Sequence, residues 1–70
     1  MTSRKNILYL ARTLHLPSGE IQGNVVVNVC DGVVTRCSPF EQESQSMLLA
    51  DELYVCYDVN GALMVERFVI

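Results

Sequence analysis

Asn24-Val25-Val26-Val27-Asn28-Val29-Cys30-Asp31-Gly32-Val33-Val34-Thr35-Arg36-Cys37 is the stretch whose reading decides the fold. Asp-Gly suits a type I′ turn, which needs positive φ at both central residues, and β-branched runs flank it on both sides, so a hairpin is predicted. Pairing about the turn sets Cys30 opposite Val33, Val29 opposite Val34, Asn28 opposite Thr35 and Val26 opposite Cys37. Successive strand residues face opposite sides. Ile21, Val25, Val27, Val29 and Val34 then share a core face, and Gln22, Asn24, Asn28 and Thr35 share the other with Val26.

Two further reversals lie outward of this hairpin, Pro17-Ser18-Gly19 and Asn60-Gly61. Between the turn signals run five apolar or β-branched segments, residues 6–16, 20–30, 33–37, 48–58 and 62–70. The expectation is a mainly β chain, a five-stranded antiparallel meander curled into a small roll or barrel, forming one domain over residues 1–70. Ser38, Pro39 and Glu41 fit a capping box with proline at the first helical position, which allows at most one short helical turn near residues 39–46. A three-residue turn at Pro17 to Gly19 puts Ile7, Tyr9 and Ala11 on the core face, and Leu8, Leu10, Leu14 and Leu16 opposite. Pairing about Asn60-Gly61 sets Tyr57 beside Met64, Val55 beside Glu66 and Leu53 beside Phe68; on the reverse face it sets Cys56 beside Val65, Tyr54 beside Arg67 and Leu63 beside Asp58. One sheet with a wet side needs fewer apolar groups than these two faces carry. Either the sheet curls, or its second face meets another molecule.

Composition narrows the chemistry. Seventy residues bury only about 60% of the unfolded surface, so added support is expected. Three cysteines, Cys30, Cys37 and Cys56, leave one unpaired, and the polar start Met1-Thr2-Ser3-Arg4-Lys5-Asn6 has no signal-peptide pattern. Reduced thiols, no disulfides and a cytoplasmic location are expected. One histidine and no Cys-x-x-Cys pair make no metal site, and no cofactor is implied. Five basic against eight acidic residues, a net charge of −3, argue against nucleic acid. No apolar run approaches the roughly 18 residues of a membrane span.

The possible reactive groups read as structural. His15 with a cysteine would need an orienting group and an oxyanion site, and nothing marks either. Glu41 and Glu43 sit in a Gln/Ser-rich stretch where both are solvated, without the unlike environments that acid/base pairs need. Cys30 and Cys37 are not directly opposite, so a bridge would break the ladder. Tyr54 and Arg67 make a cross-strand pair. The glycines sit in turns or strands rather than in a phosphate loop that opens a helix.

With Leu10-Ala11-Arg12-Thr13-Leu14 and Ser18-Gly19 upstream, the segment from Asn24 to Pro39 resembles the N-terminal β-domain of metal-dependent amidohydrolases, over residues 7–39. The resemblance implies a free-standing β-module without hydrolase activity. The family's metal-binding Pro-Gly-Phe-Ile-Asp-x-His-x-His stretch and its catalytic barrel have no counterpart here. The chain also resembles short bacterial proteins of this kind, which carries no function.

The leading expectation is a non-catalytic module acting by protein contact, self-association included, with Leu8, Leu10, Leu14, Tyr54 and Val65 at the contact surface. The alternative is a small-ligand-binding barrel with a cavity lined by Tyr9, Tyr57, Met64 and Phe68. A nucleic-acid barrel of the OB or cold-shock type would need exposed aromatics in a basic groove. A biotinyl or lipoyl carrier would need a lysine at a hairpin tip, and Lys5 is the only lysine.

Overall fold

A computed structural model describes residues 5–40 and 47–70. The five segments form strands β1 (Asn6–His15), β2 (Ile21–Cys30), β3 (Val33–Pro39), β4 (Leu48–Tyr57) and β5 (Leu63–Val69). Their ladders close into a ring in the order β1-β2-β3-β5-β4. The mainly β, five-stranded curled sheet is therefore present, but its neighbours differ from those of a strict meander. β1 and β4 pair in parallel, and β3 meets β5. Only the three glycine reversals are tight enough to force sequence neighbours together. The sequence between β3 and β4 contains no glycine reversal, so nothing forces those two strands together, and β4 pairs with β1 instead. Ser38 and Pro39 belong to β3 rather than to a helical cap, and the rest of the expected helical turn lies outside the described residues. No helix among the described residues is long and apolar enough to cross a membrane.

The central hairpin turns as its dipeptide requires, with Asp31 at φ 52° and Gly32 at φ 84°. Cys30↔Val33 and Val29↔Val34 pair as expected. A bulge at Thr35 then shifts the register, so Cys37 faces Val27 rather than Val26. The Thr35 hydroxyl donates to the Asn28 carbonyl across the bulge, at 3.1 Å. The last hairpin behaves similarly. Asp58 Oδ1 accepts from the N–H groups of Asn60 and Ala62, both at 2.8 Å, and widens the loop beyond two residues. Tyr57↔Leu63, Cys56↔Met64 and Val55↔Val65 result, one residue off the simple register. A bulge at Glu66, the extra β5 residue between the partners of Tyr54 and Val55, restores the expected Tyr54↔Arg67 and Leu53↔Phe68.

The core is Tyr9, Ala11, Leu14, Val25, Val27, Val29, Ala50, Leu53 and Val55, with Ile7, Leu16, Val34, Leu63 and Val65 packed against it. Strict alternation breaks at one level of the ring. On β1 the buried residues run Tyr9, Ala11 and then Leu14, and on β4 they run Ala50 and then Leu53. On β2, Asn24 adopts φ 54° and the residues before Val25 are exposed. An asparagine tolerates this left-handed conformation better than most residues. Arg12 and Thr13 thus sit outside with Asp51 and Glu52, and Leu14 turns inward. The same kink carries Ile21, expected in the core, to the surface.

The ring's seams are unequal. β3 and β5 meet only at Val33↔Met64, with one more bond from the Val65 N–H to the Gly32 carbonyl at 3.0 Å.

Candidate functional site

The kink that turns Leu14 inward also presents the next β1 residue, His15, to the outer surface beside β4. His15 pairs with Tyr54, and their rings stack at 4.1 Å with 7° between planes. Arg67, opposite Tyr54 on β5, lays its guanidinium 4.0 Å from the ring centroid. Glu52 completes the group: its Oε1 accepts from His15 Nε2 at 2.9 Å and from the Tyr54 hydroxyl at 3.0 Å. The carboxylate cannot donate at neutral pH, so the histidine nitrogen must carry the proton. The hydrogen bonds from His15 and then Tyr54 hold the Glu52 carboxyl below its ordinary range. The same bond to Glu52 pushes the Tyr54 phenol above its own. The cluster joins β1, β4 and β5 and satisfies itself. Tyr54 carries a neighbour within stacking distance in both His15 and Arg67, so its ring serves as filling between strands. His15 is a half-buried residue at the end of β1.

A second feature lies on the outer face of β2, β1 and β4. Leu10 pairs with Val26 on one side and Leu49 on the other. Leu10 and Val26 alternate with buried residues, and Leu49 precedes the buried Ala50 as its partner Leu10 precedes Ala11, so all three face outward. Leu8 lies two residues before Leu10 on the same face. Leu49 is 54% exposed, and Leu8, Leu10 and Val26 are half-buried. Arg12 and Asp51, 3.6 Å apart, border the row at one end.

Of the residues expected at a contact surface, Leu8 and Leu10 lie in this row. Leu14 is 1% exposed in the core, so the kink removes it from any contact surface. Val65 is half-buried against the core, and Tyr54 belongs to the stack. The cavity expected between Tyr9, Tyr57, Met64 and Phe68 is not formed by those residues. The Tyr9 and Phe68 rings fill the space with centroids 5.4 Å apart, Tyr57 is exposed, and Met64 reaches the Gly32 turn. A different hollow of about 220 Å³ is lined by Gln22, Gly23, Val25, Cys37, Ser38 and Pro39. Partial burial pushes the Cys37 thiol up, away from the reactive thiolate. Glu41 and Glu43 lie outside the described residues. Among the described residues, no three His, Cys, Asp or Glu side chains converge as metal ligands would. All three cysteines are free.

The His15–Glu52 pair left no trace in the one-dimensional pattern, because it depends on the parallel β1–β4 pairing. Glu52 lies 37 residues from His15. The Tyr54–Arg67 contact was legible, because a hairpin makes it local.

No family model matches the chain, and no curated protein and no solved structure is similar to it.

Proposed function

We propose that this chain is a non-catalytic module that works by contact with another polypeptide, self-association included, through Leu8, Leu10, Val26 and Leu49. The observation that carries the reading is the aligned row Val26–Leu10–Leu49 on the outside of a ring whose core is already filled. Scattered surface leucines need no explanation; adjacent ones with charges at their border resemble the core and rim of an interface. The resemblance of residues 7–39 to the amidohydrolase β-domain supports the same mode, since that domain packs on a larger body. The free cysteines suit a reducing compartment, and we place the protein in the cytoplasm.

Leu49→Lys tests this, because the site is exposed enough to accept the charge without unfolding. The wild-type chain at 100 µM should sediment above monomer mass, and the variant should return to monomer with an unchanged circular dichroism spectrum. A monomeric wild type, whose retention on a phenyl matrix Leu49→Lys leaves unaltered, would contradict the reading.

Small-ligand binding has one observation behind it, the hollow of about 220 Å³ beside Cys37. Ordinary ligand pockets run from about 300 to 1,000 Å³, so it would take only a very small molecule. A thermal-shift screen of small metabolites tests it, since a ligand that binds only the folded form raises the melting temperature.

A further inference from the structure

The weakest seam of the ring has a methionine on it. The other four seams are ladders of several successive pairs, whereas β3 and β5 share Val33↔Met64 and the Val65 N–H bond to the Gly32 carbonyl. On the inner side Val34, Leu63 and Val65 pack against the core. Val33 and Met64 alternate with those residues and face outward. So do Cys30, which follows the buried Val29 and pairs with Val33, and Cys56, which follows the buried Val55 and pairs with Met64. The outside of the seam is therefore a row Cys30–Val33–Met64–Cys56, each residue half-buried. The Met64 methyl group lies 3.9 Å from where a Cβ on Gly32 would stand, so it covers the turn whose carbonyl takes the second seam bond.

A thioether in this position is apolar only while it is reduced. Oxidation to the sulfoxide makes the side chain polar and disrupts the apolar contacts it made. The row offers the new oxygen no hydroxyl, amide or charged group, only two thiols, which are weak donors. Water satisfies the oxygen instead, and the side chain leaves the Gly32 turn.

We propose that Met64 is a reversible oxidation site, and that its sulfoxide opens the β3–β5 seam while the rest of the ring holds. The oxidant class is a hydroperoxide. With hydrogen peroxide, the Met64 sulfur attacks one peroxide oxygen; a sulfur–oxygen bond forms and the oxygen–oxygen bond breaks. The sulfur gives up two electrons, and the second oxygen leaves as water with both protons. The site uses neither Leu49 nor the rest of the outer row, so it stands apart from the polypeptide-contact reading.

The probe is hydrogen peroxide, followed by a thiol reductant that returns disulfides and sulfenic acids to thiols but leaves methionine sulfoxide. Peptide mass spectrometry locates the added oxygen, and amide hydrogen exchange reads the seam. In the oxidised wild type the Val65 amide should exchange about 2- to 10-fold faster, the range that loss of one net backbone hydrogen bond corresponds to, with the β1–β2 amides unchanged. Methionine sulfoxide reductases should restore the slow rate. Met64→Leu, treated alike, carries every change at Met1, Met47 and the thiols and should leave the Val65 amide slow. Met64→Gln should show the fast exchange without oxidant. A sulfoxide at Met64 beside an unaltered Val65 amide overturns the proposal. So does a Met64 that stays reduced while Met47 is oxidised, or an acceleration spread equally over all five strands.

Discussion

Leu14→Ala separates the kinked β1 from a regular one more sharply than any other substitution. In a strand of strict alternation Leu14 lies on the outside with Leu8 and Leu10. Here it is 1% exposed, among the largest fully buried side chains together with Leu53 and Val27. Burying a leucine fully contributes about 1.5–3 kcal/mol of transfer free energy, and the cavity left by truncation adds to the loss. Leu→Ala at such sites costs about 2–5 kcal/mol. At about 0.05–0.15 kcal/mol per residue, a chain of this size has about 3.5–10 kcal/mol in all. The variant should therefore lose at least about a fifth of its stability, and at the upper end of the cost all of it. Each kcal/mol shifts the melting temperature of a small domain by about 4–8 °C, so a drop of about 8 °C or more is expected. Leu10→Ala, on the half-buried outer row, serves as the control and should cost less than about 1 kcal/mol. Urea titration followed by circular dichroism measures both. Equal costs for Leu14→Ala and Leu10→Ala would refute the inward turn of Leu14, and with it the level at which the whole ring breaks alternation.

Glu52 has a folded-state pKa below its unfolded one, so its contribution is present above the unfolded value of about 4.3 and is lost as pH falls through the folded value. Melting temperatures of the wild type and Glu52→Gln should therefore differ at pH 6 and converge toward pH 3. Asn24 holds a left-handed φ of 54°, so Asn24→Gly should be nearly neutral while Asn24→Val should cost about 1–2 kcal/mol by urea titration. The Tyr54 phenol is raised chiefly by its bond to Glu52, so an ultraviolet pH titration should show a late-ionising tyrosine that disappears in Tyr54→Phe. The Cys37 thiol, raised by burial, should react with a thiol reagent at pH 8 more slowly than the same residue in the urea-unfolded chain.

What was legible in the sequence followed from local chemistry. Asp31-Gly32 sets the central hairpin because few dipeptides accept two positive φ values, and residues beside the turn pair as simple counting says. Tyr9, Ala11, Val25, Val27 and Val29 then fall on the core face by alternation alone. Counting fails where a strand takes one extra residue, as at Thr35 on β3 and Glu66 on β5. Bulges satisfy twist and closure, which are properties of the ring and not of a short window. Leu14 and Ile21 were misplaced for that reason: the left-handed Asn24 reverses sides within β2, and β1 and β4 bend with it. The parallel β1–β4 pairing was hidden more deeply, because no turn joins those strands. His15, Glu52 and the Val26–Leu10–Leu49 row depend on that pairing, so Leu10 was legible as outward-facing but its neighbour Leu49 was not.

The outer row, the His15–Tyr54 stack and the order of the ring all rest on β4 lying parallel beside β1. Backbone and side-chain NOEs read this directly. Cross-peaks between Leu10 and Leu49, and between His15 and Tyr54, are expected, with none between β3 and β4. A continuous set of β3–β4 cross-peaks, with β1 free on that side, would contradict the account.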